Sequence, residues 1–210
     1  MEETQGDPTA AAWVQDHSAK RRYETFCDCF MALVLVASAL QLRAPVDIAK
    51  TGLIEAGRTL APQLAVYALN FLTVAVLWSN QRRLTRSLPA IPPKVVPFML
   101  AVLAILALSP MSVGVLARAP LEPSALSLFG AVWAAISLFM VGARLFLVRL
   151  YPANSELAAE HNARTYRSFA ALLIYAGAIP LSYVSPAAAL VVFAVMPFLF
   201  LLRDSGRLIG

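Results

Sequence analysis

Charge is scarce in this chain. Asp, Glu, Lys and Arg make up only 14% of the 210 residues, 60% are hydrophobic, and the mean hydropathy is +0.70. A soluble domain carries about a quarter charged residues, so this surface is built to meet lipid. Cysteine is as sparse. Cys27 and Cys29 stand two apart at the start of an apolar helix, where their side chains diverge and cannot close a relaxed disulfide on each other. No H-E-x-x-H, G-x-S-x-G or phosphate-binding loop occurs. Cys27, Cys29 and the distant His161 form C-x-C plus one histidine, which free buried cysteine explains more simply than a metal centre does. An enzyme is therefore not expected, nor a metal or a cofactor. The residues before Asp16 are polar and acidic (Glu2, Glu3, Asp7) and lack the basic n-region and short apolar core of a cleaved secretory signal. Residues 1–17 read as a disordered cytoplasmic tail, and 18–210 as one membrane domain.

What the chain has is apolar length. A helix needs about 20 mostly apolar residues to cross the hydrocarbon core, and six windows approach that: 24–43, 60–82, 95–117, 124–147, 166–183 and 186–203. The expected fold is all-α, a polytopic membrane protein of six transmembrane helices. Only Tyr183-Val184-Ser185-Pro186 parts the last two windows, which suits a tight antiparallel turn or the bend of one re-entrant hairpin. The net charge of +5 follows topology and does not point to nucleic acid. With the N-terminus inside, only Arg43, Lys50, Arg58 and Arg118 fall outside, and every other Lys and Arg collects on the cytoplasmic side with both termini. Two connections, Arg43 to Pro62 outside and Leu150 to Arg167 inside, are long enough for short helices. In the inner one Asn154 or Ser155 can cap a helix beginning at Glu156. Pro97, Pro110, Pro180 and Pro197 mark expected kinks.

The first window opens with Arg22-Tyr23-Glu24-Thr25-Phe26-Cys27-Asp28-Cys29, which carries a carboxylate into a membrane helix. An ionisable group there needs protein or water and a partner, unless it lies at headgroup depth and snorkels. Arg22 is the nearest basic residue in sequence, but six residues is the wrong spacing for contact along one helix, so a pairing must run between helices or subunits. Further on, Leu33, Val36 and Leu40 stand at i, i+3 and i+7. They share one helical face and form successive layers over about 10 Å of rise. Such a face equally suits lipid contact or packing.

Arg22, Phe26 and Asp28 match R-x-x-x-F-S-D, the motif that opens the first helix of the endolysosomal potassium channel family, transmembrane protein 175, with Cys27 in place of its serine. Asn70-Phe71 and Trp78-Ser79-Asn80-Gln81-Arg82-Arg83 resemble that family's second helix, which ends in W-x-x-H and basic residues, with Gln81 replacing the histidine. Leu108-Ser109-Pro110-Met111-Ser112 is similar to a less specific small-and-proline pattern of its third. A single six-helix unit resembles the prokaryotic branch. The resemblance implies a homotetramer in the plasma membrane, with the first helix lining a central pore and Leu33, Val36 and Leu40 forming apolar constriction rings. Such rings can gate by dewetting and favour the more easily dehydrated potassium ion. It further implies passive conduction of potassium, with the bilayer, other copies of the chain and monovalent cations as partners. Arg22, Asp28, Trp78, Gln81 and Cys27 would be the polar network that supports the pore. Val36 lacks the hydroxyl of the threonine usual there, and Ser38 points elsewhere on the helix and does not replace it. Gln81 cannot titrate as a histidine would, and Trp78 beside Arg82 and Arg83 also suits an interfacial belt. A secondary transporter with Asp28 binding a coupling ion is the rival reading, although the first-helix motif has no second copy of the kind internal repeats would supply.

Overall fold

The computed structural model describes residues 8–43, 48–86, 88, 91–150 and 156–205. Every regular element among them is an α-helix: α1 (Pro8–Ala39), α2 (Ile48–Arg86), α3 (Val96–Leu106), α4 (Ser109–Arg118), α5 (Pro123–Leu150), α6 (Glu156–Val184) and α7 (Pro186–Ser205). Among the described residues, four stretches are long and apolar enough to cross a membrane: Ile54–Arg86, Val96–Arg118, Pro123–Arg149 and Thr165–Val184. The chain is a multi-pass membrane protein on that ground. α1 is not among the four, because Arg22, Glu24 and Asp28 run into it, and Pro186–Phe200 of α7 is a shorter apolar helix.

Several expectations are adjusted. α1 begins at Pro8, inside the stretch read as tail, and ends at Ala39, four residues before the expected end of the first window. Residues 1–7 of that tail lie outside the described residues. The outer connection is drawn into α2, whose one break is Gly52, at φ 77° and ψ 159°. Only glycine takes that conformation without strain. α6 begins at Glu156, as the capping pattern predicts, although Asn154 and Ser155 lie outside the described residues.

The third window forms two helices because Pro110 has no N–H to offer the Leu106 carbonyl. The Ala107 N–H still donates to the Leu103 carbonyl at 3.0 Å and the Leu108 N–H to that of Ile105 at 2.9 Å, and both residues keep α-region angles (φ −60°, ψ −19°; φ −84°, ψ −13°), so Val96–Arg118 continues as one rod. Pro62, Pro180 and Pro197 lie inside helices, while Pro97 occupies a first turn, where a missing N–H costs nothing.

The most extensive packing is between α5 and α6, with α7 against both. An aromatic pile fills that junction. Phe129 meets Phe193 edge-on at 5.3 Å, and Tyr175 stacks between Trp133 at 6.2 Å and Phe193 at 5.9 Å. The pile is tight at Gly130: a Cβ there would lie 3.0 Å from Phe193 Cζ, 3.2 Å from Ile179 Cγ1 and 3.4 Å from the Tyr175 carbonyl oxygen. Gly130→Ala is expected to destabilise the protein by about 1–3 kcal/mol through overpacking. Gly177→Ala, which meets nothing within 4 Å, should be neutral or slightly stabilising through helix propensity. Thermal unfolding of the two variants in detergent checks the pair, and equal midpoints would show that the pile yields.

Candidate functional site

α1 and α2 are joined by a ladder of polar contacts. Lys20 Nζ donates to the Leu88 carbonyl at 2.6 Å. Gln81 Nε2 donates to Cys27 Sγ at 3.2 Å. Deeper along α1, Asn70 Nδ2 donates to Ser38 Oγ at 3.1 Å, and that hydroxyl donates to the Val34 carbonyl of its own helix at 2.8 Å. Beyond the end of α1, the Arg43 N–H donates to Gln63 Oε1 at 2.9 Å. The residue numbers in the pairs Lys20 and Leu88, Cys27 and Gln81, and Ser38 and Asn70 each total 108. Two antiparallel rods held in a single register must show such a constant total.

Asp28 is the charged rung. Trp78 Nε1 donates to its Oδ1 at 2.7 Å, and Arg82 Nη2 donates to its Oδ2 at 3.3 Å. The same guanidinium lies 4.8 Å from the centre of the Trp78 ring, close enough for a cation–π contact. Asp28 is thus held by two donors from α2 and does not merely snorkel. Both partners of the ion pair keep over a third of their side-chain surface exposed, 42% for Arg82 and 36% for Asp28, so solvent screening limits its strength.

The ladder settles which way α1 is turned. Cys27, Met31, Val34 and Ser38 are buried against the bundle. Two positions along a helix is about 200° of rotation, so Cys29, Leu33, Val36 and Leu40 fall on the opposite side. There Leu33 is 67% exposed, Val36 58% and Leu40 80% in the isolated chain, with Cys29 exposed one turn before them. Arg22, Thr25 and Phe26 continue the same uncovered stripe.

The structure therefore brings together Asp28, Trp78, Gln81 and Cys27 and leaves Arg22 out. Arg22 is exposed on the stripe, and Arg82 holds the carboxylate in its stead. Its six-residue offset from Asp28 places it well around the helix from that side chain. Arg82 was legible, since it lies four residues after Trp78 and so shares its face. Ser38 was read as pointing away from the Leu33 stripe and does so, but its bond to Asn70 was not foreseen. A buried small hydroxyl amid apolar residues was the available signal. Tyr23 was also missed. Its hydroxyl lies beside Cys27 and Gln81, and neither it nor Gln81 Oε1 finds a well-aligned hydrogen bond among the described residues. No group of three His, Cys, Asp or Glu suited to a metal ion occurs among the described residues.

Fold and seam together define a class: an all-α, multi-pass membrane protein whose first helix is polar on one side and uncovered on the other. Within that class the chain resembles the TMEM175 family, whose model, described as endosomal/lysosomal potassium channel TMEM175, matches residues 22–110. A crystal structure of a lysosomal potassium-selective channel TMEM175 homolog from Chamaesiphon Minutus has the same fold, with a TM-score of 0.79 at 20% identity over 89% of this chain and 98% of that one. No curated protein matches in sequence.

The seam predicts a measurable coupling. A hydrogen bond to a charged acceptor contributes about 1.5–3 kcal/mol when shielded, and about 1 kcal/mol is expected here after allowance for exposure. A double-mutant cycle of Trp78→Phe and Asp28→Ala, read by unfolding in detergent, should return a coupling of that size. Arg82→Gln should cost more than Arg22→Gln; the reverse order would contradict the pairing.

Proposed function

We propose that this protein is a potassium-permeable cation channel that conducts passively. Four copies surround an axis lined by α1, with Leu33, Val36 and Leu40 forming three apolar rings. α1 and α7 join the four long apolar spans to make six crossings, with both termini cytoplasmic in the plasma membrane. Permeating monovalent cations and the bilayer are its partners, and no cofactor is required.

The observation that carries this reading is the mismatch between what α1 contains and what covers it. Arg22, Glu24 and Asp28 make α1 too polar to rank with the four apolar spans, yet the side running from Arg22 through Cys29 to Leu40 is uncovered by its own chain. Intramembrane charge is tolerated toward a bundle interior or a water-filled cavity and is costly toward lipid. A symmetric closed assembly gives that side a wet axis to face. Support also comes from the family, which is described as a potassium channel, and from the structural neighbour, described as potassium-selective. Asp28 already accepts from Trp78 and Arg82, which suits a carboxylate that positions a helix better than one that must bind a coupling ion. Val36 offers no oxygen to a cation, so discrimination between potassium and sodium rests on the ease of dehydration.

Purified protein in liposomes under a potassium gradient tests the proposal. Unitary currents are expected, and Leu33→Ala and Leu40→Ala should each change conductance at least twofold. Saturable flux without unitary events would favour a transporter, and no flux of any monovalent cation would end the channel reading. The native thiols supply a second check. Cys29 lies on the stripe and Cys27 is 4% exposed, so a methanethiosulfonate reagent should reduce current in the wild type and leave Cys29→Ser unaffected. Unchanged wild-type current despite labelling of Cys29 would place the stripe away from the pore.

A further inference from the structure

The uncovered stripe of α1 does not stop with Leu40. The chain keeps winding past the end of α1: the Gln41 N–H donates to the Ser38 carbonyl at 3.2 Å and the Leu42 N–H to that of Ala39 at 3.1 Å. These are the bonds of a 3₁₀ turn, in which side chains three apart eclipse and each residue rises about 2 Å. Position 43 therefore falls in line with Leu40, about 6 Å further along. Arg43 occupies it and is exposed. Its backbone is fixed. Gln63 Oε1 accepts from the Arg43 N–H at 2.9 Å, while Gln63 Nε2 donates to the Thr59 carbonyl at 3.2 Å and more weakly to the Arg43 carbonyl at 3.5 Å. Both backbone polar groups of Arg43 are thus taken by α2. No carboxylate among the described residues pairs with its guanidinium, and Glu55 lies with Arg58 instead, at 3.7 Å.

We propose that Arg43 limits the entry of cations at the outer mouth of the pore. Repeated by symmetry, it forms a ring of positive charge just beyond the Leu40 ring and holds inward conductance below what the apolar rings alone permit. This inference rests on the channel reading, with α1 around the axis. An arginine at a constriction raises an electrostatic barrier to cations, and charge of one sign at a mouth depletes ions of the same sign nearby. The reach of that effect is the Debye length, about 10 Å at 0.1 M salt and about 3 Å at 1 M. The step of about 6 Å from Arg43 to Leu40 lies within the first length and beyond the second. Arg43 is therefore felt at the Leu40 ring in moderate salt and screened from it in strong salt. It meets ions arriving from its own side first, so inward current suffers more than outward.

Unitary currents are recorded in planar bilayers with potassium chloride at about 0.1 M and about 1 M on both sides. Arg43→Gln should raise inward conductance about twofold or more in the weaker salt and leave it nearly unchanged in the stronger. Arg58→Gln, which removes an exposed charge already beside Glu55, should have no effect in either. A rise with Arg58→Gln as large as with Arg43→Gln would assign the effect to general surface charge and overturn the proposal. A second test changes the charge on channels already assembled and conducting. Arg43→Cys is combined with Cys29→Ser, and the introduced thiol is treated from the outer side with an anionic and, separately, a cationic methanethiosulfonate reagent. The anionic adduct should increase inward current and the cationic adduct decrease it. No change on labelling, or the same change with both reagents, would overturn the proposal. Absence of unitary current from the wild type would overturn the channel reading and this inference with it, whereas wild-type current indifferent to charge at position 43 would overturn this inference alone.

Discussion

A carboxylate packed against a membrane-spanning helix must be answered, and the answer organises this protein. Asp28 is met by Trp78 and Arg82, and the bonds above and below it carry the same register from Lys20 to Ser38. Individually these contacts are modest, since several are half exposed and one has sulfur as its acceptor. Their effect is geometric. Once Cys27 and Ser38 are held toward α2, the rotation of α1 is set, and with it the identity of every residue on the far side. Leu33, Val36 and Leu40 are presented together because of side chains that do not touch them.

The rest of the bundle is held by different means. α5, α6 and α7 meet through Phe129, Trp133, Tyr175 and Phe193, with Gly130 permitting the approach. Apolar packing of that kind fixes shape with little reference to charge, whereas the α1–α2 seam is directional and tolerates few exchanges. A polar ladder that orients one helix thus sits beside an apolar scaffold that holds the others. The broken rod α3–α4 packs against both α1 and α5 and links the two regions.

Much of this was legible in the residues, and the parts that were not have physical causes. Helix positions followed from apolar length, because lipid leaves the backbone few alternatives. Leu33, Val36 and Leu40 were singled out by the family resemblance, and the helical period puts them on one face. Arg22 is the nearest basic residue to Asp28 in sequence, with any pairing expected between helices or subunits; the partner within one chain lies fifty-four positions away on α2, and only the antiparallel register reveals it. The break at Leu108 was foreshadowed by Pro110, yet sequence could not tell a sharp kink from a rod that keeps its direction. The Ser38–Asn70 bond and the Tyr23 contact needed the rotation of α1, a tertiary quantity that no periodicity encodes.

The charges that keep α1 out of the apolar spans also bear on how the protein is made. A segment carrying Arg22, Glu24 and Asp28 is a weak substrate for insertion while it stands alone, and it leaves the ribosome before the helix that answers it. Its donors, Trp78 and Arg82, are synthesised some fifty residues later, near the end of α2. Stable docking of α1 therefore awaits the helix that follows it. The two are best regarded as a single unit of biogenesis, with the order of synthesis reversed in the order of commitment.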